Sequence, residues 1–174
     1  MDMSIATSIS IDEYLNTSYE PDCDYVDGVL EERNLGKWEH SRLQIALGAY
    51  LFNREKILGI RAATEQRIRV AGKRVRIPDI CVLLEGQPNE EVLALPPFIC
   101  IEILSPEDSL SSMMERVDDY LAFGVPYVWV IDPRRQRCYA YTAAGMTEAH
   151  DKILRTANPE IEIPVPELFA SLRS

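Results

Sequence analysis

Two apolar runs separated by one helical segment restrict the fold of this chain more than any other feature. "FICIEIL" (residues 98–104) and "PYVWVI" (126–131) lack the polar alternation of a half-solvated strand, and they read as strands covered on both faces. Between them Met113, Val117, Tyr120 and Leu121 recur at helical spacing, with Ser112 and Glu115 spaced as a capping box and Gly124 and Pro126 as the stop. A strand–helix–strand unit of this kind requires a parallel pair joined by a right-handed crossover.

The rest of the chain fits around that unit. "SISIDEYL" predicts a short helix capped by Ser10 with Glu13 three residues on. "CDYVDGVLEER" predicts a hairpin turning at Asp27-Gly28. Leu43, Leu47, Tyr50 and Leu51 mark a helix over 38–56. "RAATEQRIRV" and "RVRIPDICVLL" read as one strand each around a turn at Ala71-Gly72, "EGQPNEEVLALPP" as a loop, "QRCYAYT" as a further strand. The tail suggests an edge strand broken at Pro164, then a helical turn or two. The expectation is an α/β fold with a mixed central sheet flanked by helices, one domain over 1–174, and a flexible segment at 1–10.

The net charge of −10 argues against broad attraction to nucleic acid or anionic membrane, so a polyanion would need a local basic surface. "QRIRVAGKRVRIP" offers one: Arg67 and Arg69 share a strand face, as do Arg74 and Arg76. Phosphate contact is the functional reading, and an edge hairpin guarded by charge the plainer one. No apolar run approaches the ~20 residues of a membrane span, and the N-terminus lacks the pattern of a signal peptide. Four widely spaced cysteines without a C-x-x-C pair fit a reducing, cytoplasmic setting.

Glu102 stands in the middle of the first buried run, where a carboxylate loses several kcal/mol of hydration unless something replaces the water. Asp79 begins the apolar run "ICVLL", next to Pro78. If the two strands pair and both carboxylates face the same way, they repel, and a divalent ion between them resolves the conflict. All-oxygen donors suit Mg²⁺ or Mn²⁺ rather than Zn²⁺. The alternative is that Asp79 caps a turn and Glu102 pairs with an arginine.

Pro78-Asp79 followed by Glu102 resembles the PD-(D/E)XK nuclease signature. The ordered set "DYVDGVLEE", "HSRLQ", "RIPDICVL", "IEILSPED" and "RVDDYLAFGVPYVWVIDP" is similar to the Uma family of restriction-endonuclease-like proteins over nearly the whole chain. The resemblance implies a restriction-endonuclease-like fold, a homodimer, and Mg²⁺-dependent cleavage of DNA. Asp79 and Glu102 would be metal ligands, with the Ile103 carbonyl as a third. The signature lysine position holds Leu104; Arg116, in the following helix, stands where the resembling family carries a basic residue. Arginine can stabilise anionic charge but cannot give up its proton near neutral pH. Asp24 takes the place of a glutamate ligand, and His40 points inward from its helix as an active-site neighbour or a satisfied core residue. The competing readings are a catalytically impaired module of the same fold that binds protein or nucleic acid, and a phosphodiesterase acting on RNA or nucleotides.

Overall fold

The computed structural model describes residues 8–34, 36–170 and 172–173. Most of the segment expected to be flexible, residues 1–7, lies outside these; Ile9 is tied down, donating its amide to the Gly28 carbonyl at 3.0 Å. Helix α1 (Ile11–Leu15) carries the expected cap, the Ser10 hydroxyl accepting from the Glu13 amide at 3.1 Å. Strands β1 (Cys23–Val26) and β2 (Val29–Glu32) form the hairpin, with Asp27 and Gly28 at φ +50° and +95°, the left-handed pair that a two-residue turn requires. Helix α2 (Trp38–Phe52) stops short of the expected end and a single turn, α3 (Glu55–Leu58), follows. Between them the Arg54 guanidinium folds back over the Tyr50 ring and donates to the Tyr50 carbonyl, satisfying one of the free carbonyls of the helix end.

The largest departure lies in 60–84. Two strands were expected and four form: β3 (Ile60–Thr64), β4 (Arg67–Ala71), β5 (Arg74–Arg76) and β6 (Ile80–Leu84). The breaks fall at Glu65, with φ +52°, and at residues 77–79, where Pro78 lacks an amide for any ladder. At each break the chain changes sheet. After β7 (Val92–Leu93), a parallel partner of β4 inside the expected loop, come β8 (Ile99–Ile103), α4 (Leu110–Phe123) and β9 (Tyr127–Asp132), with β8 and β9 parallel as required. The α4 cap is Ser109 rather than Ser112: the Ser109 hydroxyl accepts from the Ser112 amide, so the helix starts one turn early. The chain ends through β10 (Arg137–Thr142), β11 (Gly145–Glu148), β12 (Ile153–Arg155), β13 (Glu162–Pro164) and α5 (Val165–Ala170).

A mixed six-stranded sheet, β11-β10-β9-β8-β6-β3, forms the centre, beside a five-stranded sheet, β2-β1-β5-β4-β7, and a small β12-β13 pair. The unbroken apolar runs are explained by two cores, one on each face of the central sheet. Ile80, Val82, Ile99, Ile101, Ile103, Trp129 and Ile131 pack with Leu43, Leu47 and Leu51 of α2 and with α5. The alternate residues Cys81, Leu83, Cys100, Val128 and Val130 pack with Met113, Val117 and Tyr120 of α4 and with Ile68 and Val70 of β4. Helix α4 therefore lies between the two sheets. Glu102 has the parity of this second core. All four cysteines are free and buried, and among the described residues no helix is long and apolar enough to cross a membrane.

Candidate active site

The β6–β8 register pairs Cys81 with Cys100 and Ile80 with Ile101. One further step sets Asp79 opposite Glu102, on the α4 face, where directly opposed side chains are neighbours. Asp79 has left the ladder, and its carboxylate stands in for the missing strand: Oδ2 accepts the Ile103 amide at 2.7 Å. A residue in a strand directs its amide and carbonyl toward the same neighbour, so the Ile103 carbonyl faces this gap as well.

Asp79 is held from three more directions. Arg33, on the connection from β2 to α2, donates from Nη2 to Oδ1 at 2.9 Å. His40 sets Nε2 3.1 Å from Oδ2, and the Gln44 side chain donates to the Asp79 carbonyl at 3.1 Å. His40 and Gln44 lie one helical turn apart on α2, so one face of that helix grips the residue at two points. Burial pulls the His40 imidazole toward neutrality, but the Asp79 hydrogen bond and charge outweigh it and lift its pKa above the ordinary value.

Glu102, 1% exposed, accepts a hydrogen bond at Oε1 from the Tyr120 hydroxyl at 2.7 Å, and Arg116 Nη1 lies 3.6 Å from Oε2. Arg116 and Tyr120 are one turn apart on α4, so both reach the same carboxylate. Burial pushes Glu102 up to about 8 from an ordinary 4.5; Arg116 pulls it down, Asp79 raises it further, and Arg33 and Tyr120 also pull it down.

Asp24, fully buried on β1, stands behind this pair. Its Oδ1 accepts the Ile77 amide at 3.1 Å, and its Oδ2 meets Arg76 Nη1 at 3.1 Å and Arg116 Nε at 3.5 Å. Burial raises its pKa against the pull of Arg116 and Arg76. Arg116 thus bridges Asp24 and Glu102.

The basic stretch takes a different form from a solvent-facing strip. Arg76 is 1% exposed and meets Asp24, Glu31, Glu115 and Asp119, the shortest contacts being 2.7 Å to Glu31 and Asp119. Asp119, its side chain 14% exposed, is therefore an internal partner. Arg74 binds Asp27, Glu115 and Asp119; Arg67 binds Asp22 and lies over the Tyr14 ring. Arg69 is exposed, with one contact, to the Gly72 carbonyl.

The structure thus brings Asp79, Glu102, Ile103, His40, Arg116 and Asp24 together, and leaves Arg67, Arg69 and Arg74 outside. Reading the sequence missed Arg33, which lies in a connection without periodicity. It also missed the polar role of Tyr120, whose spacing marks it only as core. Among the described residues no group of three His, Cys, Asp or Glu side chains is placed to hold a metal ion. The oxygen donors present are two carboxylates and a backbone carbonyl. That set fits Mg²⁺, which is commonly bound by one or two carboxylates and keeps several waters.

The sequence model of the Uma2 family, described as a putative restriction endonuclease, matches residues 11–172. Among solved structures, the chain is similar to a putative nuclease belonging to DUF820 from Anabaena variabilis ATCC 29413, with a TM-score of 0.78 and 23% identity over 94% of this chain and 99% of that one. That likeness places the fold among those of restriction-endonuclease-like proteins. A looser similarity, to a DrdV–DNA complex, has a TM-score of 0.43 and 15% identity over 75% of this chain and 11% of that one. No curated protein matches the chain.

Proposed function

The chain belongs to the Uma2 family of putative restriction endonucleases, and on that premise we propose that it is a Mg²⁺- or Mn²⁺-dependent nuclease hydrolysing phosphodiester bonds in DNA. Asp79, Glu102 and the Ile103 carbonyl would hold the ion. The observation that supports this is the placement of two buried carboxylates on one sheet face, with the Ile103 backbone turned into the gap between them.

When bound, the ion supplies Lewis acidity toward the phosphate and toward water. The protein's own groups set the geometry around it. Tyr120 fixes the rotamer of Glu102, and His40 and Gln44 hold Asp79 against the end of β8. Arg116 takes the charge-stabilising role that a lysine at position 104 would have, without serving as a proton donor. Asp24 positions Arg116 and Arg76, both of which meet its Oδ2. Of the four basic-stretch residues, Arg69 is the one left for a phosphate contact, because Arg67, Arg74 and Arg76 are bound by carboxylates.

A cytoplasmic homodimer completes the proposal. Trp38, Ile45 and Phe52, spaced by seven on α2 and each about two-thirds exposed, form an apolar stripe suited to a second copy. Ile45→Glu should shift a dimer to monomer in light scattering.

Supercoiled plasmid incubated with Mn²⁺ tests the central claim. Wild type should nick or linearise it, and Asp79→Ala should leave it intact; unchanged topology with both proteins would reject the nuclease. A specific observation favours the competing reading, a non-catalytic module binding protein or nucleic acid: Arg33, Arg76, Arg116 and His40 already oppose the carboxylates. Calorimetry separates the two, because a module of that kind would take up neither Mg²⁺ nor Mn²⁺.

A further inference from the structure

Arg33 meets fewer carboxylates than Arg76 does. Arg76 uses Nε and both terminal nitrogens on four carboxylates. Among the described residues Arg33 makes one ion pair, Nη2 to Asp79 Oδ1, and its Nε is buried with no hydrogen-bond partner. Its side chain is 14% exposed, and the residue sits on a connection rather than on a helix or strand. Besides Asp79 it lies within electrostatic reach of Glu102 and Asp24. Its own connection is held from outside the site: Asn34 donates to Asp108 Oδ1 at 2.8 Å, and Lys37 pairs with Glu107. The guanidinium can therefore change partner while the backbone that carries it stays anchored to the loop after β8.

A divalent ion on Asp79 would confront this guanidinium at short range, and like charges in a site of low dielectric repel strongly. We propose that Arg33 and the metal compete for Asp79, and that Arg33 passes to the substrate phosphate when the metal takes its place. This rests on the metal-dependent reading above. A phosphodiester offers the fork two oxygens and one negative charge, so the released arginine recovers the partner it lost. Metal and phosphate then bind with positive coupling, and Arg33 is the residue that couples them. An acidic protein would gain from such a device, since a phosphate contact appears only where an ion is already loaded.

The test is Mn²⁺ binding by the full-length chain, followed by electron paramagnetic resonance at pH 8.5, with and without a short phosphorothioate DNA duplex that resists cleavage. Arg33→Gln should bind Mn²⁺ alone about tenfold more tightly than wild type, having lost the competitor. The duplex should tighten Mn²⁺ binding in wild type and in Arg33→Lys, and have little effect in Arg33→Gln. Asp79→Ala should bind no Mn²⁺ at the site. If Arg33→Gln binds Mn²⁺ no better than wild type while Asp79→Ala abolishes binding, the exchange is wrong and the metal site stands. If wild type and Arg33→Gln both fail to bind Mn²⁺, the metal reading falls and the exchange falls with it. Thermal melts of each variant show whether a loss of binding is a loss of fold.

Discussion

Glu102→Gln gives a direct measure of the strain at the site. In the unfolded chain this carboxyl ionises near 4.5, while burial raises it to about 8 in the fold. Below pH 4.5 it is protonated in both states. Between the two values the folded state holds a proton that the unfolded state has released, so stability falls as pH rises and levels off above about 8. At roughly 1.4 kcal/mol per pH unit the ceiling is on the order of 5 kcal/mol. Relaxation and water penetration reduce such penalties severalfold, which leaves about 1–3 kcal/mol. Glutamine has the shape of the protonated acid and can still accept from the Tyr120 hydroxyl. The variant should match wild type near pH 5 and exceed it by that margin at pH 9. Asp24 is also raised by burial and tilts stability the same way, but it does so in both proteins and cancels from the difference. Urea unfolding of the two proteins from pH 5 to 9 reads the effect. A difference that does not change with pH would refute the claim that Glu102 is held in its neutral form by its surroundings.

Arg76→Met should cost about 3–5 kcal/mol, because it takes the nearer of two guanidiniums from the fully buried Asp24, and should lower the melting temperature by roughly 6–20 °C; Asp24→Leu added to it should recover part of the loss. Tyr120→Phe removes the hydroxyl from Glu102 and should destabilise the fold by about 1–3 kcal/mol in chemical denaturation. Arg116→Ala should lower plasmid cleavage by about a hundredfold while Arg116→Lys retains most of it, a contrast measured by initial rates. Mn²⁺ binding at pH 7 should release close to one proton, because Glu102 must ionise; calorimetry in two buffers of different ionisation enthalpy counts it.

What the sequence revealed, and what it hid, follows from the range of the interactions. The strand containing Glu102 was legible because burial on both faces removes every polar residue but one, and the exception then stands out. Parity puts Glu102 on one face with Cys100, and the nearness of the two strands in the chain suggests that they pair, as β6 and β8 do. The sheet change between β3 and β4 was not legible: Arg61–Val70 reads as one extended stretch, and only the positive φ at Glu65 turns it. Arg76 looked like a surface cation because alternation with Val75 suggests one wet face. Its strand lies where α4 approaches from the other side, so Asp119 and Glu115 reach it across 39 or more residues of sequence. No local pattern carries that information. Arg33 was hidden for a further reason, since a lone arginine in a connection has no period against which to stand out.

The internal charges of the site constrain what it can accept. Three buried acids, Asp24, Asp79 and Glu102, face Arg33, Arg76 and Arg116, and Arg76 is shared with Glu31, Glu115 and Asp119 toward the surface. Adding two positive charges to such a set without compensation would be opposed by every guanidinium present. Two compensations are at hand. Glu102, neutral for the most part at pH 7, can supply one negative charge by releasing its proton. On the proposed reading a phosphodiester would supply the second, arriving where Arg33 can meet it. Proton release, metal uptake and substrate binding then become three parts of one balance. A metal alone at neutral pH should bind weakly, and raising the pH or adding DNA should each strengthen it. The substitution of leucine for lysine at position 104 is consistent with this, because a further fixed cation beside Arg33 and Arg116 would oppose the ion before any phosphate was present to offset it.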